Sequence, residues 1–179
     1  EDRVRRLAAA EHPGVKFEFA ANASQLDFRG SAPIVSDNTF RYAADARTPA
    51  GFNTTLLIGP AAQGAQKTVT PSGGTIAIAD NLFETGGGVE VASYSIADKD
   101  LDEALSNTSI LIRSNTFRGV GLPGENRNYG QYCLTLDLRC NVSVLANHFS
   151  NYADFLRWRS GPSSLIGAWR ISFNYFANG

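Results

Sequence analysis

Residues Ile110 to Phe117 read ILIRSNTF, and this octet carries the pattern that decides the fold of the chain. Ile110 and Ile112 have the period of two that is typical of a strand with one buried face. A polar break follows at Asn115, and Phe117 comes two residues after it. The octet therefore predicts a strand that ends at a corner occupied by Asn, which tolerates left-handed dihedrals, and that is followed at once by an inward-facing aromatic ring.

The same spacing recurs four more times along the chain. Each copy has an apolar residue three positions before an Asn and a Phe two positions after it: PIVSDNTF (33–40), IAIADNLF (76–83), VSVLANHF (142–149) and WRISFNYF (169–176). The motif residues are Asn38, Asn81, Asn115, Asn147 and Asn174, with Phe40, Phe83, Phe117, Phe149 and Phe176. Successive Asn residues are 43, 34, 32 and 27 positions apart, so one element is constant while its connections vary.

A solenoid explains this recurrence. Each of the first four motifs is followed by a loop and a second strand-like run, at 52–58, 89–96, 132–138 and 155–159. If equivalent strands stack into parallel sheets about 4.8 Å apart, the Asn amides can bond in a ladder and the Phe rings form an internal column. Five neighbouring coils bury an apolar face that one coil cannot bury alone. A β-sandwich of hairpins is the competing fold, but it gives no reason for the motif to recur at the same strand end.

The sequence thus predicts an all-β solenoid of about five irregular coils, forming a single domain over residues 1–179. Residues 2–11 contain good helix formers and precede Pro13, which predicts a short N-terminal helix. Residues 100–105 predict a further turn or two of helix inside a loop. The motif Asn residues are assigned a structural role, because a binding site is needed once whereas a ladder is needed in every coil.

Composition limits the classes of function. Of the 179 residues, 43% are hydrophobic and 18% are charged, and 16 Lys and Arg nearly cancel 17 Asp and Glu. A nucleic-acid binder usually needs a basic field, so the balance argues against one. The apolar runs are far shorter than the ~20 residues of a membrane-spanning helix. The chain begins at Glu1 without an initiator Met, which predicts a mature form or a piece of something longer.

Four sequons, at Asn22, Asn53, Asn107 and Asn141, predict N-glycosylation sites and a cell-surface or secreted protein. Two cysteines, Cys133 and Cys140, bracket an alternating strand-like run. A strand of that length would hold them over 20 Å apart and on opposite faces, too far for a disulfide, unless the strand ends near Arg139. Two free thiols are therefore expected.

The segment from Ile34 to Phe176 resembles the right-handed parallel β-helix proteins of the pectate-lyase-like superfamily, in its coils of alternating apolar residues, Asn and a following aromatic. That architecture hosts lyases, hydrolases and adhesins, so the resemblance implies a fold more than a function. More narrowly, IRSNTF (112–117) and CLTLDLRCNVSVLANHF (133–149) resemble trypanosomal dispersed-gene-family surface proteins. This second likeness implies a fragment of a longer, extracellular, adhesive or structural solenoid, and it establishes no enzyme activity.

The motifs of the superfamily's hydrolases are missing from the sequence. Its hydrolases use Gly-His-Gly and Arg-x-Lys, whereas His12 and His148 are not flanked by Gly and no Arg-x-Lys occurs. Asp98, Asp100 and Asp102 form the densest carboxylate run and are weak candidates for calcium. Because a solvated loop explains this run as well, no cofactor is predicted.

The predicted function is a non-enzymatic cell-surface or secreted module that is structural or adhesive and binds glycans or matrix, with extracellular or host glycans or proteins as partners. Aromatic rings beside Arg can stack on a sugar and hydrogen-bond to it. The candidate residues for this binding are Arg157, Trp158, Arg159, Trp169 and Tyr129. The alternative for the two tryptophans is a place in the core or at the end of the solenoid. The alternative function is a polysaccharide-lyase type of carbohydrate-active enzyme.

Overall fold

A computed structural model describes residues 16–19, 26–28, 34–42, 56–58, 74–91, 103, 105–121, 130–159 and 167–177. The regular structure of these residues is almost entirely β, and every strand pair is parallel. The prediction of an all-β chain built from parallel strands is therefore confirmed. The helix predicted at residues 2–11 lies outside the described residues.

The strands form three sheets. Sheet 1 contains β1 (Lys16–Phe19), β4 (Thr39–Tyr42), β7 (Leu82–Thr85), β10 (Thr116–Gly119), β13 (His148–Ser150) and β16 (Tyr175–Ala177). Sheet 2 contains β2 (Leu26–Phe28), β5 (Leu56–Ile58), β8 (Gly87–Val91), β11 (Gly130–Asp137) and β14 (Tyr152–Arg159). Sheet 3 contains β3 (Ile34–Ser36), β6 (Gly74–Ala79), β9 (Thr108–Arg113), β12 (Asn141–Leu145) and β15 (Trp169–Ser172).

Each strand pairs with the strand three places further along the chain, so the chain visits the three sheets in a fixed order. The Asn motif spans the passage from sheet 3 to sheet 1. In the octet that begins at Ile110, β9 ends at Arg113 and β10 begins at Thr116. The strand-like runs between motifs supply sheet 2. The sequence had placed the motif Phe after the strand, whereas the structure has it inside a separate strand.

The left-handed corner lies one residue earlier than the sequence reasoning placed it. Asn was expected at the turn because it tolerates left-handed dihedrals, but positive φ occurs at the residue before each motif Asn: Asp37, Asp80, Ser114, Ala146 and Phe173, at 53° to 59°. The backbone N–H of this residue still continues the stack, as in Ser114, which donates to Leu145 O at 3.1 Å. Because the preceding residue makes the turn, the Asn side-chain amide can point toward the motif Asn of the neighbouring repeat.

One buried cluster takes side chains from all three sheets, including Phe40 of sheet 1, Leu56 of sheet 2 and Ile76 of sheet 3. The motif Phe rings stack face to face through this cluster, with neighbouring centroids 4.6 to 5.1 Å apart. The register of sheet 1 also pairs Phe17 of β1 with Phe40. The sequence motif does not identify this additional level of the stack, because no Asn stands two residues before Phe17.

The two cysteines are free and buried. The strand between them does not run on to Cys140, which is the exception that the sequence left open. β11 ends at Asp137, and the N–H of Cys140 donates to Asp137 O at 3.3 Å in a tight turn. The turn redirects the chain into sheet 3, so both thiols face the core.

A helical turn precedes β9. Residues 103, 105 and 106 have helical backbone, and the N–H of Asn107 donates to Glu103 O at 3.2 Å. Leu105 from this turn is buried in the core cluster. The described part of the predicted loop helix is thus a single helical turn that contributes one apolar side chain to the core.

Candidate functional site

The motif Asn side chains form a continuous hydrogen-bonded ladder along the corner between sheets 3 and 1. The backbone N–H of Asn38, Asn81, Asn115 and Asn147 each donates to Oδ1 of the next motif Asn at 2.9 Å. From Asn81 onward, Nδ2 also donates to that same oxygen at 3.0 Å. All rungs except the last are 1% to 3% exposed.

The remaining amide hydrogens are used within the fold. Nδ2 of Asn115 donates to Ile78 O at 2.8 Å and to Arg113 O at 2.9 Å, so it ties two rungs together. Asn81 and Asn147 make the equivalent pairs of bonds. Because the donors and acceptors of these amides point at protein groups, the interior ladder presents no free amide to a ligand.

The five residues expected to bind glycans do not form one surface. Trp158 lies on β14 of sheet 2 and is 60% exposed, in register with the fully buried Leu136. Trp169 begins β15 of sheet 3, packs partly buried against the core, and its Nε1 donates to Leu138 O at 3.4 Å. Trp169 therefore has the alternative position against the core, whereas Trp158 is exposed on β14, an edge strand of sheet 2. Tyr129 and the side chain of Arg159 lie outside the described residues.

The fifth candidate, Arg157, instead meets an aromatic ring that the sequence reasoning did not select. Its guanidinium carbon lies 4.7 Å from the centroid of Tyr132, which is 37% exposed. Exposed Asp154 is the register partner of Tyr132 on the adjacent strand. We call Tyr132, Asp154 and Arg157 the aromatic–arginine patch. The pairing register places residue 154 opposite 132 but places Arg157 opposite residue 135, so no sequence signal could have identified the contact between Arg157 and Tyr132.

A second cluster missed by the sequence lies buried at the turn after β11. Arg139 and Asp137 form an ion pair of 2.9 Å with both side chains fully buried. Oδ1 of Asp137 also accepts from the N–H of Arg139 at 2.9 Å and from its Nε at 3.0 Å. Bidentate pairing of this kind lets two charges be buried together. The cluster holds the turn in place and is not open to solvent.

The thiols beside this turn are poor nucleophiles. Burial raises the pKa of Cys133 well above its ordinary value. For Cys140, burial first and then the Asp137 carboxylate raise the pKa to about 12, against a smaller lowering by Arg139. Since the thiolate is the reactive form, neither cysteine is suited to nucleophilic catalysis at neutral pH.

Exposed charge on sheet 1 forms a surface pair. Arg118 and Glu84 are partners in the strand register and approach to 3.0 Å. His148 is exposed, with its ring edge-on to Tyr175 at 4.8 Å. In the part of the chain that the structure describes, no three His, Cys, Asp or Glu residues group closely enough to hold a metal ion. The calcium candidates Asp98, Asp100 and Asp102 are outside that part.

Two of the four sequons can be compared. Asn107 is exposed at the end of the helical turn. The Asn141 side chain is engaged, since its Oδ1 accepts from Ala168 N at 2.9 Å and its Nδ2 donates to Ser106 O at 3.3 Å. Asn107 is therefore the more accessible acceptor for a glycan. Asn22 and Asn53 lie outside the described residues.

No protein-family model, curated protein or solved structure matches the chain. Within the described residues, no helix has the length and apolar character needed to cross a bilayer.

Proposed function

We propose that the chain is a right-handed parallel β-helix of five irregular coils that serves as a non-enzymatic, structural or adhesive module outside the cell. Each coil would consist of one strand from each sheet, with β16 beginning a further coil. The pairing of every strand with the strand three places on supports this winding. The amide ladder, which runs from Asn38 to Asn174 along one corner, supports it independently.

The functional proposal depends on one observation: the polar groups of the interior are bonded to other protein groups, whereas those of one surface patch face solvent. The interior amides and the Asp137–Arg139 pair are bonded to protein groups, which is what a scaffold requires. The aromatic–arginine patch is instead open to solvent on sheet 2. A scaffold with an exposed recognition surface fits an adhesive role better than a catalytic one.

The patch has the chemistry of a glycan contact. The face of an aromatic ring stacks on the apolar face of a sugar, and a guanidinium and a carboxylate bind its hydroxyl or acidic groups. The cation–π contact between Arg157 and Tyr132 holds the two groups together before a ligand arrives. We therefore assign the patch to extracellular or host glycans, free or carried on a protein.

A glycan array with purified chain tests this assignment. Binding to one glycan class should be lost on Tyr132→Ala and on Arg157→Ala. Binding should be kept on Arg118→Ala, which removes an exposed arginine from sheet 1. Binding that is equal in all four proteins, or absent from wild type, would contradict the proposal. Turnover of uronate polymers that chelation abolishes would favour the lyase alternative instead.

The extracellular location has a separate test. When the chain is expressed through a eukaryotic secretory pathway, mass spectrometry should find a glycan at Asn107, whose exposed side chain is accessible. Asn141 should stay unmodified, because its amide is held between Ser106 and Ala168. A fully unmodified, retained chain would count against a secreted role.

A further inference from the structure

The outer face of sheet 1 carries a row of residues whose charges alternate. Glu18, Arg41, Glu84 and Arg118 are successive register partners on β1, β4, β7 and β10. Each directly follows a Phe of the inward-facing column in the sequence. Because successive residues of a strand face opposite sides, Arg41, Glu84 and Arg118 face outward. The side chain of Arg118 is 64% exposed and that of Glu84 is 28% exposed. We call these four residues the charge row.

The rest of this face lets another flat surface come close. The charge row gives way to Ser150 and Ala177 at the same register positions of β13 and β16. Beside it, Thr39, Leu82 and Thr116 form a second row of register partners that is uncharged and half-buried. The face therefore combines a charged row with a low, uncharged row over the same three strands.

The order of the charges is complementary to its own reverse. From β1 to β10 the signs run negative, positive, negative, positive. A second copy laid against this face with its stacking direction reversed presents the opposite sign at every position. A two-fold axis parallel to the strands, placed between β4 and β7, produces this arrangement. It brings Arg41 of each copy to Glu84 of the other, and it aligns residue 18 with Arg118.

From this charge complementarity, we infer that the outer face of sheet 1 binds a second copy of the chain, in a symmetric dimer whose two stacks run antiparallel. The charges of both copies follow the same strand spacing of about 4.8 Å, so the pairs stay in step along the row. The ion pair between Glu84 and Arg118, at 3.0 Å within one copy, contributes little while it is exposed. In the dimer each of its members also faces an opposite charge across the interface. A parallel arrangement would place like charges together, which selects the antiparallel one.

Sedimentation equilibrium of the complete chain tests the inference. At about 0.05 M salt the chain should be in a concentration-dependent equilibrium between monomer and dimer. The dissociation constant should rise at least about tenfold at about 0.5 M salt, because salt screens the attraction between charges at a polar interface.

Charge exchange identifies the contact. Arg41→Glu and Glu84→Arg should each weaken the dimer at least about tenfold, because the two-fold axis uses the pair twice. The double variant should recover dimerisation, since the opposite charges then face each other with their positions exchanged. Within one copy it places like charges at neighbouring register positions, so better intrachain pairing cannot explain the recovery. Arg113→Glu is the matched control: Arg113 is exposed on sheet 3, outside the charge row, and this variant should dimerise like wild type.

Circular dichroism checks that each variant is folded. Glu84→Gln removes the charge without reversing it, and it should weaken the dimer less than Glu84→Arg does. A chain that stays monomeric at low salt would overturn the inference. A dimer that is indifferent to Arg41→Glu and Glu84→Arg, or a double variant that stays as dissociated as the single ones, would overturn it as well. None of these results depends on glycan binding, since the aromatic–arginine patch lies on sheet 2 and is unchanged in these variants.

Discussion

At the scale of single residues, the fold depends on an amide that is used at both ends. Oδ1 of Asn115 accepts from Asn81 and its Nδ2 donates to Ile78 O, both buried, while a second Nδ2 bond to Arg113 O is part-buried. A shorter or charged side chain cannot supply both functions. The geometry of the corner therefore requires Asn, and Asn recurs in the sequence because the same corner recurs in the fold.

Replacing Asn115 with Ala should lower the free energy of unfolding by about 1–3 kcal/mol, because the N–H of Asn81 and two carbonyl groups lose their buried partners. Chemical denaturation measures the change. Asn174→Ala is the control, because it removes the same amide from the half-buried last rung and should cost less. Equal costs at the two positions would argue against a cooperative ladder.

The corner residue before the Asn carries strain that substitution can relieve. Ala146 has φ of 54° and is exposed, and such a conformation disfavours a residue with an ordinary side chain. Ala146→Asn should raise the free energy of unfolding by up to about 1 kcal/mol, since Asn tolerates this region and the side chain has room. Ala153→Asn, at an exposed position within β14, should give no gain. A loss of stability at residue 146 would contradict the explanation.

The buried thiols predict a dependence of stability on alkaline pH. Folding raises the pKa of Cys140 from 9.0 to about 12 and raises that of Cys133 in the same direction. Between those values the unfolded chain loses a proton that the folded chain keeps. The contribution of the thiols to the free energy of unfolding is therefore fully present below pH 9. It falls as the pH rises toward 12, by about 1.4 kcal/mol per pH unit for each thiol. Cys140→Ala should reduce the slope of unfolding free energy against pH, whereas an unchanged slope would assign the loss to other groups.

At the scale of elements, the Phe column shows how burial depends on position in the stack. Phe117 is fully buried between the rings of Phe83 and Phe149, at 4.7 and 5.1 Å. Phe176 has one stacked neighbour along the column and is 49% exposed. The same residue type in the same motif therefore contributes differently at the middle and at the end.

Phe117→Ala should cost about 3–5 kcal/mol through lost burial and a residual cavity. Phe176→Ala should cost only about 1 kcal/mol, because about half of its surface is already in water. Thermal and chemical unfolding of the two variants gives the comparison. Similar losses would mean that the last rung is more tightly covered than its exposure indicates.

The strands and their parallel stacking could be predicted from the sequence, because both follow from a motif of eight residues that recurs along the chain. The recurrence of Asn and Phe at fixed spacing identifies equivalent positions without any knowledge of the loops. The aromatic–arginine patch could not be found in this way, because Tyr132 and Arg157 lie on different strands and Arg157 is the register partner of Thr135, so only the three-dimensional path of its long side chain brings it to the ring. The turn at Asp137 could be named from the sequence only as an exception, since the alternation reads as one strand and the buried ion pair that ends it forms only in the folded chain.

At the scale of the whole molecule, each sheet is a row of strands in which, among the described residues, interior strands have two partners and edge strands have one. Stacked repeats of this kind owe their stability to each repeat and to its contacts with immediate neighbours. Opening should therefore be easiest where a strand has one neighbour and half-exposed columns. The C-terminal edge has both properties.

Hydrogen exchange followed by mass spectrometry should show this gradient. Amides in 108–119, which lie between rungs on both sides, should exchange most slowly, and those in 169–177 should exchange fastest among the motif segments. Asn147→Ala should speed exchange in both neighbouring segments, because Asn147 bonds to Asn115 on one side and to Asn174 on the other. The exposed control Arg118→Ala should leave the gradient unchanged. Uniform protection from the middle rung to the last would mean that the molecule opens as one unit, with the terminal rung as stable as those it covers.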